Sequence, residues 1–284
     1  LMINNSADVF RAECGLPECR TLKVDSPFDH KNIILWVPKA DAEVRIPGYS
    51  GSSNALVRAN SDSERLKFII NFCLQRIPGY VQNNMGGVLI LCTSNTNKTA
   101  IANSLRPVIE SMSDRYVYEQ GEMPRARLVN NFLNSTSPVL VATNSFREGF
   151  DAVGEKLTWV ILDKLPYGNK SDADLDKRIT ILLQNGKITN KFTHIKNLMV
   201  FDLIQAMGRL ERSMRDWGTL TILDPRFYWL CDEGVHNPLK IFHKSFLNAA
   251  EKHFENLGHS DAAYFWLRKG ILDYIRNKMQ IQSN

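Results

Sequence analysis

The chain has 284 residues, 44% of them hydrophobic and 23% charged, with Lys+Arg 35 against Asp+Glu 30 for a net charge of +5. A chain of this length buries about three quarters of its unfolded surface and needs no disulfide or metal to fold. This composition excludes collagen-like, disordered and disulfide-scaffold proteins. The charge is compatible with a polyanion partner but far from that of a basic nucleic-acid tail. The five cysteines, Cys14, Cys19, Cys73, Cys92 and Cys231, include no CxxC pair and fit no zinc spacing, so they read as reduced thiols. The residues from Leu1 carry neither the basic nor the apolar stretch of a secretory signal. No apolar run approaches the roughly 18 residues of a membrane helix. The expectation is a soluble protein of the cytosol or nucleoid, with no membrane partner.

In chain order, residues 47–60 (PGYSGSSNALVRAN) predict an exposed loop. Ser61 and Glu64 then form a capping-box pattern. The helix behind them carries Leu66, Ile69, Ile70, Cys73 and Leu74 on one face and is expected to stop near Pro78 and Gly79. From there the pattern alternates. Apolar runs at 88–92, 139–142, 157–162 and 219–223 predict strands buried on both faces, and 116–118 a short strand. Helical patterns cover 98–112, 124–133, 172–184 and 194–213, and the chain from Asp232 onward is mostly helical in pattern. Strands alternating with helices predict a parallel α/β sheet.

In such sheets ligands bind beyond the carboxyl ends of the strands. Three of those ends are polar here: Thr93-Ser94-Asn95, the run from Thr143 to Gly149, and Asp163-Lys164. They read either as caps and turns or as a site. In the helix at 194–213, Gln205, Arg209 and Arg212 fall within an arc of about 60° at 100° per residue. Val200, Leu203, Met207 and Leu210 fall opposite. Gly208 flanks the polar arc. A glycine within a helix costs about 1 kcal/mol relative to alanine, which makes sense where a backbone or ligand must come close. Two arginines so spaced can grip one polyphosphate, because guanidinium stays charged and bonds phosphate oxygens in pairs. The alternative is a surface helix with both arginines paired to Glu211 or Asp216.

Residues 139–167 read VLVATNSFREGFDAVGEKLTWVILDKLPY and residues 201–227 read FDLIQAMGRLERSMRDWGTLTILDPRF. These segments resemble the fifth and sixth motifs of the DinG/XPD branch of superfamily 2 helicases. That family has a T-x-S-F-x-E-G-x-D turn, a V-I-I-x-K-L-P strand end, Q-x-x-G-R-x-I-R-S and an L-D-x-R strand end. Residues 88–95 resemble the fourth motif, and Ser26-Pro27-Phe28-Asp29 the entry to the second motor domain. The joint match, in order and spacing, is far more specific than any one piece. Three positions depart from the pattern: Arg147 stands for an aromatic, Glu211 for an aliphatic, and Pro225 interrupts the last motif. These departures suggest a diverged member, and they allow the CRISPR-associated branch.

The resemblance implies a RecA-like (P-loop NTPase-type) helicase domain over 21–230. Residues 1–20 would be a linker or the end of a first motor domain, and 231–284 a helical extension. No G-x-x-x-x-G-K-[ST] and no D-E-x-H occurs in the chain. The expectation is therefore the second half of a two-domain motor. ATP and Mg2+ would be bound mainly by the first half, which would also hold any iron–sulfur cluster. The resemblance implies that Arg209 and Arg212 are arginine fingers and that Gln205 orients the γ-phosphate or the attacking water. It also implies that Glu148, Gly149, Asp151 and Gly208 line the ATP cleft. Its partners would be the first RecA-like domain and single-stranded DNA or a forked duplex, with 5′-to-3′ translocation. A motor must hold phosphates without reading bases, which suits the hydroxyls of Thr93, Ser94, Thr143 and Ser145. Phe146 either stacks on a base or packs in the core. Two other readings compete: a non-catalytic nucleic-acid-binding or scaffolding module, and an α/β enzyme with Cys92 as nucleophile.

Overall fold

Val88–Cys92 is apolar and buried at every position, and it forms the middle of a sheet covered on both faces. The structure is a computed structural model. It describes residues 11, 14–16, 20, 22, 33–36 (as backbone), 54–147, 150–167, 173–186, 188, 190–210, 216–224, 226 and 227. The described strands are β1 (Ile33–Trp36), β2 (Val88–Cys92), β3 (Val117–Glu119), β4 (Val139–Thr143), β5 (Trp159–Leu162) and β6 (Gly218–Ile222). They lie in the order β1-β6-β5-β2-β4-β3, and every neighbouring pair is parallel. The described helices are α1 (Ala55–Gln82), α2 (Asn95–Ile109), α3 (Arg125–Asn134), α4 (Ala173–Gln184) and α5 (Lys191–Met207). This is the parallel α/β class that the alternation predicts. The expected linker at 1–20, apart from residues 11, 14–16 and 20, and the helical extension at 231–284 lie outside the described residues.

The period-2 alternation of each strand sends its side chains into two separate cores. Val88, Ile90, Cys92, Val141, Trp159 and Ile161 face one layer, with Ile69, Phe72, Cys73, Ile77 and Tyr80 of α1 and Ile101 and Leu105 of α2. Leu89, Leu91, Leu140, Val160, Leu162 and Leu220 face the other, with Leu128 and Phe132 of α3 and Met199, Leu203 and Ala206 of α5. The entry to β2 is as tight as backbone allows. A Cβ at Gly87 would lie 2.1 Å from the Lys156 carbonyl oxygen, and one at Gly86, where φ is +105°, would lie 2.3 Å from Thr158 Oγ1.

Three expectations change. The loop at 47–60 is helical from Ala55, and the cap is Asn54, whose Oδ1 accepts from the Leu56 N–H at 2.9 Å. Ser61 and Glu64 lie inside α1, so their capping-box pattern has no helix start to cap. The helix also runs through Pro78 to Gln82. An interior proline costs about 3 kcal/mol. That is offset by the turn beyond it, where Tyr80 and Val81 are fully buried. Tyr80 also packs its ring 4.8 Å from Trp159, and its hydroxyl lies 2.7 Å from Thr158 Oγ1. The third change is β1, which was not among the expected strands and pairs with β6 from Ile33↔Gly218 to Trp36↔Thr221.

Candidate functional site at the carboxyl edge of the sheet

The chain runs from β2 out to β3 and back to β4 on one side, then crosses to β5 and β6 on the other. The carboxyl end of β2 therefore lies where the winding reverses, the place at which open α/β sheets bind ligands. Three side chains close the gap there. Asp163, the first residue after β5, is 0% exposed. It accepts from the Thr93 N–H at 2.9 Å, from Thr93 Oγ1 at 3.3 Å and from Asn97 Nδ2 at 2.8 Å. Burial pushes the Asp163 carboxyl up to about 6, against the pull of Asn97, Lys164 and Thr93. Lys164 itself pairs with Asp62 of α1 at 3.6 Å. Ser94 is the cap of α2, its Oγ accepting from the Asn97 N–H at 3.1 Å. Thr93 and Ser94 are both exposed.

On the other side of β2, Gln120 follows β3 and gathers the end of β4. Its Oε1 accepts from the Thr143 N–H at 2.7 Å and from Thr143 Oγ1 at 3.0 Å, and its Nε2 donates to Ser145 Oγ at 3.2 Å. Thr143 Oγ1 and Ser145 Oγ are 2.8 Å apart. Lys98 of α2, 8% exposed, donates to the Gln120 carbonyl at 2.6 Å and pairs with Glu119 at 3.3 Å. Thr99 Oγ1 donates to Glu119 at 2.6 Å. Phe146 takes the core alternative: at 1% exposure its ring has no face for a base, and it packs 5.4 Å from Phe150 with the Arg125 guanidinium 4.2 Å above it.

The arginine segment meets the loop after β4. Helix α5 ends at Met207, so the single wheel drawn through Ser213 is corrected: Gly208 and Arg209 lie in a turn, the Arg209 N–H donating to the Ala206 carbonyl at 3.2 Å. Past the turn, Leu210 is 1% exposed, and its Cδ2 lies where a Cβ on Gly218 would stand 2.7 Å away. This contact anchors the segment against β6. The Arg209 guanidinium is half-buried and donates to the Phe150 carbonyl at 2.5 Å. Asp151 follows Phe150 and is exposed, as is Gln205, while Gly208 is half-buried. Arg212, Glu148 and Gly149 lie outside the described residues.

At the end of β6, Asp224 is fully buried and accepts from the Leu165 N–H at 2.8 Å and from Arg226 Nη2 at 2.6 Å. Burial raises its pKa, but the bonds and charge of Arg226 outweigh this and hold the carboxyl below its ordinary value. Cys92 lies at 0% exposure, and burial, with Asp163 and Cys73 adding, pushes its thiol well above the ordinary range. A protonated, buried thiol is no nucleophile, which speaks against Cys92 in that role. Three contributors to the edge escaped the sequence reading: Gln120, Asn97 and Lys98. The available signal for Asn97 and Lys98 was that both stand in the first turn after a strand end that carries hydroxyls, Thr93 and Ser94; Gln120 had no such signal.

The helicase C-terminal domain family matches residues 77–231. The chain is 33% identical over 240 residues to the ATP-dependent DNA helicase YoaA of Haemophilus influenzae (strain ATCC 51907 / DSM 11121 / KW20 / Rd), covering 78% of this chain and 35% of that protein. It is 27% identical over 227 residues to YoaA of Escherichia coli (strain K12), covering 80% and 32%. It is 29% identical over 233 residues to the ATP-dependent helicase DinG of Mycobacterium tuberculosis (strain ATCC 25618 / H37Rv), covering 80% and 31%. Among solved structures, S. tokodaii Xpd4 superposes with a TM-score of 0.44 at 18% identity, over 84% of this chain and 39% of that one. The chain thus spans about a third of the length of the curated relatives it matches. The match begins inside α1, runs past β6 and takes in every edge residue from Thr93 to Arg209, so the chain belongs to the helicase C-terminal domain family.

Proposed function

We propose that the chain is the second motor half of an ATP-dependent DNA helicase that moves 5′ to 3′ on single-stranded DNA or at a fork. Arg209 and Arg212 reach across the cleft as fingers to the β- and γ-phosphates of ATP seated on a first RecA-like domain, and Gln205 orients the γ-phosphate or the attacking water. Glu148, Gly149, Asp151 and Gly208 line this side of the cleft. The Mg2+ that accompanies ATP is held mainly by the first domain, outside this chain. Thr93, Ser94 and the hydrogen-bonded pair Thr143–Ser145 hold the strand by its phosphates, without reading bases.

The observation that carries this reading is the bond from Arg209 to the Phe150 carbonyl. It brings the turn after α5 against the loop that leads to Asp151, two segments 59 residues apart in sequence. A neutral carbonyl is a weaker partner for guanidinium than a phosphate, so a polyphosphate entering the cleft can take the arginine over. Arginine fingers typically contribute about 10³-fold or more to phosphoryl-transfer rates. Arg209→Ala in the full-length protein is therefore expected to lower kcat for ATP about a thousandfold, with single-stranded DNA affinity unchanged. Arg209→Lys is not expected to restore turnover, since a point charge lacks the paired donors. Undiminished ATP turnover in Arg209→Ala refutes the finger assignment.

A further inference from the structure

The inference rests on the strand-contact reading above and concerns how one of those contacts is set. Thr143 Oγ1, Ser145 Oγ and the Gln120 carboxamide form a closed triangle, with edges of 3.0, 2.8 and 3.2 Å. The direction of each bond follows from counting protons. The Thr143 N–H, 2.7 Å away, must meet an acceptor, which makes the near atom of Gln120 its oxygen and leaves Nε2 facing Ser145. Because that oxygen cannot donate, the Thr143 hydroxyl gives its single proton to Gln120. It has none left for Ser145, so the Ser145 hydroxyl donates to Thr143 Oγ1. Ser145 Oγ in turn accepts from Gln120 Nε2.

A phosphate oxygen only accepts, so it needs a donor from this triangle. The Thr143 proton is committed beside a main-chain bond to the same oxygen. Ser145 is exposed, and its proton is held only by another hydroxyl. It can swing outward while its lone pair stays on Gln120 Nε2. Gln120 is itself fixed from both sides of its main chain. Its N–H donates to the Val141 carbonyl at 3.0 Å, and its carbonyl accepts from the buried Lys98 at 2.6 Å. We infer that Gln120 is a positioning residue for the nucleic-acid strand: it consumes the Thr143 proton and leaves Ser145 as the one hydroxyl of this loop free to donate to a backbone phosphate.

The test is a double-mutant cycle on single-stranded DNA affinity, read by fluorescence anisotropy with a labelled oligothymidine on the full-length protein without nucleotide. Ser145→Ala is expected to weaken binding roughly fivefold, the net size of one hydrogen bond that water can also make. Gln120→Leu, close in shape and without polar atoms, removes the Nε2 bond that holds Ser145 Oγ in place and is expected to weaken it by a similar factor. Since both act through one donor, Gln120→Leu with Ser145→Ala should be no weaker than either alone. Losses that multiply, or a Gln120→Leu protein that binds like wild type, overturn the inference. Gln120→Glu guards against a folding defect, because a carboxylate keeps both Thr143 bonds. It also takes the Ser145 proton inward. At salt high enough to screen its charge it should still bind about fivefold more weakly, whereas a purely structural role predicts wild-type binding. If Ser145→Ala binds like wild type, the strand-contact reading of this loop falls as well, and the finger assignment of Arg209 stands untouched.

Discussion

At the β2–β5 half of the carboxyl edge the acceptor is the Asp163 carboxylate, 0% exposed; at the β3–β4 half it is the neutral Gln120 amide, half-buried. Both gather a threonine N–H, the threonine hydroxyl and a second polar side chain. The donors are nearly the same, so the difference lies in where water can reach. Water has no access to Asp163, so its bonds cannot be replaced and the loop from Thr93 to Asn97 is held rigidly. Around Gln120 water competes, so the protons of that triangle can be redistributed when a ligand arrives. The contrast assigns a structural duty to one half and an adjustable duty to the other.

The strongest way to break this contrast is to remove each acceptor. Asp163→Ala removes the shared acceptor of the Thr93 N–H and the half-buried Asn97 amide, and a donor left unsatisfied away from water costs about 1–3 kcal/mol. We expect a loss near 2 kcal/mol in urea unfolding, whereas Gln120→Ala, which removes a half-buried neutral acceptor, should lose about 1 kcal/mol. Equal losses would mean that the two halves do the same work.

Titration sharpens the contrast, because only one of the two acceptors, Asp163, carries a charge. The Asp163 carboxyl stands at about 6 in the folded chain, above the ordinary 3.8. The fold therefore favours its protonated form. The stability it contributes is fully present below about pH 4 and is lost as pH rises through about 6, amounting to roughly 3 kcal/mol at 1.36 kcal/mol per unit. Asp224 works in the opposite sense and in another window. Its depressed carboxyl contributes stability above the ordinary 3.8, which is lost as pH falls through its lower folded value. Between pH 4 and 6 the difference in unfolding free energy between wild type and Asp163→Asn should thus fall by about 2 kcal/mol. A flat difference would mean that Asp163 is ionised in the fold without penalty.

Much of this edge was legible in the sequence, for a physical reason. Strands buried on both faces write themselves as apolar runs, so β2, β4, β5 and β6 were found within two residues and their polar ends came with them. The start of α1 was not legible because Leu56 and Val57 are exposed there and no apolar stripe marks the first turns. Its end was hidden because the burial of Tyr80 and Val81, which carries the helix past Pro78, is tertiary. The arginine wheel failed at Gly208 for a local reason: helix continuity was assumed through a residue that favours ending a helix. The hydroxyls of Thr93, Ser94, Thr143 and Ser145 were singled out, but Gln120 was not, because β3 is three residues long and its neighbour β4 lies 20 residues on.

The smallest expected effect tests which atom of Thr93 does the holding. Its N–H reaches Asp163 at 2.9 Å, but its hydroxyl reaches only 3.3 Å, near the limit for an O–H donor. Thr93→Val keeps the shape and the N–H and removes only that long bond, and Asn97 still satisfies the same carboxylate oxygen. We expect under about 1 kcal/mol in unfolding free energy. Thr143→Val is different. It deletes the bridging hydroxyl of the Gln120 triangle, so Gln120 keeps the Thr143 N–H while Ser145 loses the acceptor for its proton. That proton is then available to a strand from the outset, and single-stranded DNA affinity should be retained. The opposite outcome, a Thr93→Val protein much less stable than Thr143→Val, would place the rigid anchor in a side chain rather than in the backbone N–H that Asp163 holds.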